Sequence, residues 1–136
     1  MKRIFINLIK SLAFVIKVFS CPLYMRVMVY AHKFSGVEFL GRPEYIDPTV
    51  VFKQPGRIRL GDNIVISTDV VILSYGRMHD IYIGKDTFIG AKTCILPNTT
   101  IGKCCIIGAG AVVSGIVEDY SIMVGNPAKK IGDTRN

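Results

Sequence analysis

The sequence predicts an all-β solenoid, a parallel β-helix of about five coils behind an N-terminal amphipathic helical segment, and three observations carry that prediction. Aliphatic residues recur six apart at Leu60, Ile66 and Ile72, and again at Ile83, Ile89, Ile95, Ile101, Ile107 and Val113. Glycine follows at Gly61, Gly84, Gly90, Gly102 and Gly108. Four places after the aliphatic residue the side chain is often small: Thr87, Thr93, Thr99, Cys105, Ala111. A period of six fits neither a lone helix nor a half-buried strand. It fits hexapeptide units that each make one short strand and one turn, three to a coil, with the aliphatic residue inside and the small residue at the turn.

The register places the coils in residues 44–128. Upstream it continues less cleanly through Ile46 and Phe52. Two residues are added before Leu60, and the step from Ile72 to Ile83 is eleven, one short of two repeats. A break in register marks a loop leaving the scaffold, and such loops carry chemistry. The chain divides into residues 1–36, a helical segment; 37–131, the β-helix; and 132–136, a tail.

Residues 4–19 read as a helix with an apolar stripe of Ile4, Leu8, Leu12, Val15, Ile16 and Phe19, and with Arg3, Asn7, Lys10, Ser11 and Lys17 opposite. Phe14 falls on the polar side. Cys21-Pro22 interrupts the pattern. Residues 23–34 form a second apolar helix that Gly36 ends. Lys10 and Lys17 break the apolar core a secretory signal needs, and the run is too short and charged to span a bilayer. A basic amphipathic helix lying on an anionic membrane fits, and so does a helix packed on its own protein. The expectation is a cytoplasmic protein, peripheral on the inner face of the cell membrane through residues 1–35.

Charge supports that placement. The chain holds 17 Lys and Arg against 10 Asp and Glu, net +7. Residues 1–35 carry Lys2, Arg3, Lys10, Lys17, Arg26 and Lys33 and no acid, so the β-helix is nearly neutral. Nucleic acid is a poor partner, because these cations are interleaved with apolar residues. Cys21, Cys94, Cys104 and Cys105 show neither CxxC spacing nor a disulfide framework, and read as small apolar fillers in a reducing compartment. With only His32 and His79 as histidines, no metal site is expected.

The segments Ile83-Gly84-Lys85-Asp86-Thr87-Phe88-Ile89-Gly90-Ala91 and Ile107-Gly108-Ala109-Gly110-Ala111-Val112-Val113, with the ending Gly125-Asn126-Pro127-Ala128-Lys129, resemble the hexapeptide-repeat acyltransferases that use acetyl-CoA. The resemblance covers residues 44–131. It implies a left-handed parallel β-helix, an exception to the usual crossover hand. It also implies a homotrimer with sites between subunits, acetyl-CoA as co-substrate, and a histidine acting as general base on an acceptor hydroxyl. Carried over by position, Ala91 offers a backbone N–H near the thioester and Ala109 meets the pantetheine arm. Ser114 borders the coenzyme, Gly125, Asn126 and Pro127 belong to the coenzyme-binding ending, and Lys129 meets its phosphates. A lysine that often follows the Ser114 position is Gly115 here, and Lys130 is placed to substitute for that charge.

Relatives acting on sugars commonly carry a histidine just after the coil at Ile72-Leu73, where this chain reads Ser74-Tyr75-Gly76. His79 follows four residues after Tyr75, in Gly76-Arg77-Met78-His79-Asp80, and is the candidate base. Tyr75, Arg77 and Asp80 share its loop and are candidate acceptor contacts; Asp80, Asp69 and Asp62 are candidates to orient His79. The catalytic histidine of serine acetyltransferase aligns with Gln54, so serine is not the expected acceptor. His32 reads as an interfacial or exposed histidine. The expected function is O-acetylation of a sugar hydroxyl on a surface polysaccharide or lipid-linked glycan at the membrane. Two alternatives stay open: a non-catalytic trimeric scaffold docked at the membrane, and an N-acyltransferase acting on an amino sugar.

Overall fold

In a computed structural model the structure describes residues 21–34, 36–53, 56–75 and 80–136. The helix expected over residues 4–19 lies outside them. Helix α1 (Cys21–Phe34) begins two residues before Leu23. It admits Pro22 in its first turn, where a missing N–H removes no helical bond. Gly36 follows at φ 86°, the left-handed conformation that ends helices.

The rest winds into a triangular prism with three flat faces. Face one is β1 (Val37–Phe39), β4 (Ile58–Leu60), β7 (Ile81–Ile83), β10 (Thr100–Ile101) and β13 (Ile116–Val117), in that order. Face two is β2 (Tyr45–Ile46), β5 (Val65–Ile66), β8 (Phe88–Ile89), β11 (Ile106–Ile107), β14 (Ser121–Val124) and β15 (Lys129–Asp133). Face three is β3 (Val51–Lys53), β6 (Val71–Leu73), β9 (Cys94–Ile95) and β12 (Val112–Val113). Neighbouring strands are parallel, except that β15 returns antiparallel along β14.

The prism corrects the coil count. Four coils are complete, β13 and β14 give two sides of a fifth, and the first begins at Val37 rather than near residue 44. The chain reversal at residues 125–128 closes the last coil before a third side forms.

All nine repeat residues are fully buried, so the period of six is the period of the core. The small side chains sit under the corners and tie one coil to the next. Thr87 Oγ1 donates to the Gly102 carbonyl at 3.0 Å, and Thr93 Oγ1 to the Gly90 and Gly108 carbonyls at 2.7 and 3.2 Å. Cys105 Sγ lies 3.2 Å from the Glu118 carbonyl. Each tight corner needs one residue in the left-handed region. Asn63, Asp69, Asp86 and Asn98 are suited to it, whereas Lys92, Cys104 and Tyr120 adopt it at a cost.

Helix α1 covers the open end of the first coil. Tyr24 and Met25 are buried in the same apolar cluster as the coils. The Tyr24 ring lies 5.9 Å from that of Tyr45, and its hydroxyl donates to the Ile46 carbonyl. Leu23, Arg26 and Tyr30 remain exposed on the outward side.

Candidate functional site

Both register breaks fall at one corner, between faces three and one, in successive coils. The upper break lies between β3 and β4, the lower between β6 and β7. Backbone bonds stack them: Ser74 N–H donates to the Lys53 carbonyl (2.8 Å), Gly56 N–H to the Ser74 carbonyl (3.1 Å), and Ile81 N–H to the Arg57 carbonyl (2.9 Å). Ser74 is fully buried where the loop leaves the prism, and Tyr75 is 52% exposed beside it. Asp80 is half-buried where the chain rejoins β7. Arg77 and His79, and Gln54 in the upper break, lie outside the described residues. The side chain of His32 on α1 does too.

The proposed coenzyme residues gather at a different corner, between faces two and three. Ala91 and Ala109 occupy equivalent places in consecutive coils, joined by a 2.8 Å bond from Gly110 N–H to the Ala91 carbonyl. The flanking amides are engaged: Gly90 N–H donates to Ile107 and Gly108 N–H to Met123, both at 2.8 Å. Among the described residues, no acceptor pairs with the N–H of Ala91 or of Ala109. A Cβ on Gly90 would stand 2.6 Å from the Ala109 nitrogen, so this glycine is what lets the coils stack so closely there. Two unpaired donors therefore stand one strand spacing apart, about 4.8 Å, on one edge. An extended ligand with carbonyls at intervals would satisfy them.

Gly125, Asn126 and Pro127 form the last turn of this same corner. Gly125, at φ 96°, begins the reversal. Its carbonyl accepts from Val112 N–H (3.0 Å), and Ala128 N–H donates back to the Val112 carbonyl (2.8 Å). The reversal is thus clamped to β12 and delivers Lys129 and Lys130 onto β15. Lys130 Nζ lies 3.4 Å from a Glu118 carboxylate oxygen, while Lys129 is exposed. Ser114 stands apart from this group, exposed on the far side of face three, two coils below the loop after β6.

Face three joins the two corners, and its outward side went unnoticed in the sequence. Val71, Cys94 and Val112 stand in register there, with Leu73 and Leu96 beside them, all half-buried. The outward side of face two is apolar as well, with Val65, Phe88 and Ile106 in register. The outward residues of face one are Glu38, Arg59, Tyr82, Thr100 and Ile116. The amide corner is therefore where the two apolar faces meet. Burial pushes the Cys94 thiol above its ordinary pKa, which keeps this face neutral. Of the acids considered as orienting groups, Asp62 accepts from the Arg42 backbone N–H (2.7 Å) at the corner between faces one and two. Asp69 is exposed at the amide corner, one coil above Lys92.

Residues 80–115 match a family described as bacterial transferase hexapeptide (six repeats). A probable acetyltransferase of Mycobacterium tuberculosis is 33% identical over 152 aligned positions, covering 78% of this chain and 50% of the relative. This chain spans half the length of that curated relative. Two solved structures share the fold. A maltose O-acetyltransferase from Clostridium difficile 630 superposes with a TM-score of 0.60 at 18% identity, over 97% of this chain and 86% of that one. AntD, an N-acyltransferase from Bacillus cereus in complex with dTDP and 3-hydroxybutyryl-CoA, gives 0.58 at 19% identity, over 74% and 73%.

Proposed function

We propose that this chain, which fits the hexapeptide-repeat acyltransferase family, is an acetyl-CoA-dependent O-acetyltransferase acting on a sugar hydroxyl. The observation that carries the reading is the pair of unpaired N–H groups at Ala91 and Ala109, stacked on the edge between two apolar faces. The pantetheine arm of coenzyme A is extended, presents amide carbonyls in series and ends in a thioester. It matches both donors, and the Ala91 N–H is placed for the charge that grows on the thioester oxygen. Lys129, exposed on β15 just past the reversal, is the cation for the coenzyme phosphates, while Lys130 lies against Glu118.

His79, on the loop after β6, is the base in this reading. It takes the acceptor hydroxyl proton as the oxygen attacks the thioester carbon, and returns it to the departing thiolate. Tyr75 offers an exposed ring on the same loop against which a sugar can pack. Exposed apolar side chains on faces two and three, Phe88 at 43% and Ile106 at 40% among them, favour a homotrimer that covers them. The basic, acid-free residues 1–35 favour a protein peripheral on the cytoplasmic side of the membrane, where a lipid-linked glycan would be the acceptor.

The test is release of CoA from acetyl-CoA by the purified protein across a panel of nucleotide-linked and lipid-linked sugars, beside His79→Ala. Sugar-dependent release that disappears in His79→Ala while acetyl-CoA still binds supports both enzyme and base. Undiminished turnover in the variant discards His79. Absence of acetyl-CoA binding would overturn the reading and favour a scaffold.

A further inference from the structure

Helix α1 and the first coil enclose a groove of about 400 Å³ lined by Met25, Arg26, Val29 and Tyr30 on the helix and by Gly41, Arg42 and Pro43 on the corner between β1 and β2. Its apolar lining is Met25, Val29 and Pro43, of which Met25 and Pro43 are buried. At its rim stand two guanidinium groups, Arg26 and Arg42. Both residues are exposed, and neither guanidinium has an ion-pair or hydrogen-bond partner among the described residues. Among the described residues, no acid lines the groove. Asp62 packs under Gly41 but is turned to the Arg42 backbone N–H, at 2.7 Å.

Tyr30, which lines this opening, is 56% exposed, and Leu23 and Leu40, near the lining residues Arg26 and Gly41 in sequence, are 49% and 53% exposed. Leu23, Arg26 and Tyr30 follow one another at three and four residues along α1, so they share one face of the helix. A cation pair over an apolar floor, with exposed apolar side chains on the same two segments of chain, suits a phosphodiester joined to hydrocarbon. Charge complementarity decides the occupant. The chain carries no acid before Glu38, and six cations precede that residue.

We propose that this groove seats the headgroup of an anionic phospholipid, and so docks the α1 end of the prism onto a membrane. The inference rests on the membrane part of the reading above and is independent of acyl transfer. Arg26 and Arg42 hold the phosphate, while Leu23, Tyr30 and Leu40 enter the interfacial layer around it.

The experiment is sedimentation of the full chain with phosphatidylcholine vesicles, with and without phosphatidylglycerol, at low ionic strength. Wild type is compared with Arg26→Gln/Arg42→Gln and with Lys85→Gln/Lys103→Gln. The second pair removes the same charge from the lower coils of the same prism corner. Wild type should bind only the anionic vesicles, and the arginine pair should weaken that partitioning roughly thirtyfold. The lysine pair should change it far less, with all three proteins melting alike. Soluble glycerol phosphate should not compete. Equal binding by the two double variants would overturn the groove and leave membrane association through residues 1–35 standing; it is also the result expected if a second copy, or the chain's own N-terminal segment, fills the groove. Absence of wild-type binding would overturn both. Displacement by glycerol phosphate would assign the groove to a free phosphate and overturn the lipid.

Discussion

Replacing Gly84 by alanine should damage the protein far more than a single methyl group suggests. A Cβ at this position would stand 2.5 Å from the Gly102 carbonyl carbon, 2.6 Å from its oxygen and 2.6 Å from the Lys103 nitrogen. Carbon contacts are comfortable only at about 3.5–4.0 Å, so the coils must part by about 1 Å. All three obstructing atoms are backbone and cannot swing aside as a side chain would. Overpacking costs about 1–3 kcal/mol, and three unyielding backbone contacts put this site in the upper part of that range, about 2–3 kcal/mol. Parting the coils also stretches the 2.8 Å bond from Gly84 N–H to the Ile101 carbonyl, worth about 1 kcal/mol. The sum, about 3–4 kcal/mol, is a large share of the roughly 5–15 kcal/mol that holds a domain folded. At about 4 °C per kcal/mol for a chain of this size, the melting temperature should fall by about 12–16 °C. Gly115→Ala is the control. No atom lies within 4 Å of its Cβ position, and its φ of 76° charges only the left-handed strain of about 1–2 kcal/mol. The assay is thermal melting of both variants and wild type at one protein concentration. If Gly84→Ala melts no lower than Gly115→Ala, coil stacking does not select glycine here.

Thr93→Val keeps the side-chain shape but removes the hydroxyl that serves the Gly90 and Gly108 carbonyls. It should lose about 1–2 kcal/mol, read as a lower urea midpoint with an unchanged slope. Cys105 tests the sign of a burial effect. Burial raises its thiol pKa above the ordinary value, so the folded protein favours the neutral thiol. Its contribution is complete below the ordinary thiol range, about pH 8.5, and is lost as pH rises toward the folded value. Stability should therefore fall as pH rises above the ordinary thiol range, about 8.5, and Cys105→Ala should fall less steeply there.

The core was legible because one inward residue in six repeats regardless of what surrounds it, and Leu60 to Val113 mark it without error. The loop after β6 was legible for the same reason: a step of eleven cannot keep Ile72 and Ile83 both inward without an excursion. The first strand was not, because Val37 and Phe39 precede any full repeat and are bounded by Gly36 and Gly41. The left-handed corners at Lys92, Cys104 and Tyr120 were hidden as well, since stacking forces those turns on residues whose own preference is otherwise. The apolar stripe of α1 shows that something covers it, not what. The first coil covers Tyr24 and Met25, while Leu23 and Tyr30 stay outward. The amide corner was reached through the family resemblance alone, not from residue chemistry. Ala91 and Ala109 are unremarkable side chains, and their consequence lies in unpaired backbone donors that only the stacked coils bring into line.

The two halves of the proposed site stand on opposite edges of face three, and that separation bears on how many chains make one site. Residues 93–96 cross the face between the amide corner and the corner that carries the loop, a distance of about 13 Å at strand rise. A base must come within about 3 Å of the proton it removes. From Ser74 and Asp80, where the loop begins and ends, a base would have to span most of that width to reach the amide corner of its own chain. A second copy, seated on the apolar faces that meet at the amide corner, would bring its own loop to that edge. Two variants decide between one chain and two: His79→Ala removes the proposed base, and Ala109→Trp fills the amide corner. Each alone should be inactive. If neighbouring copies share the site, trimers assembled at random from equal amounts of both should regain about a quarter of wild-type turnover, because that fraction of sites pairs an intact loop with an intact corner. Recovery of nothing from mixtures shown to contain both chains would confine the site to one chain and refute the sharing.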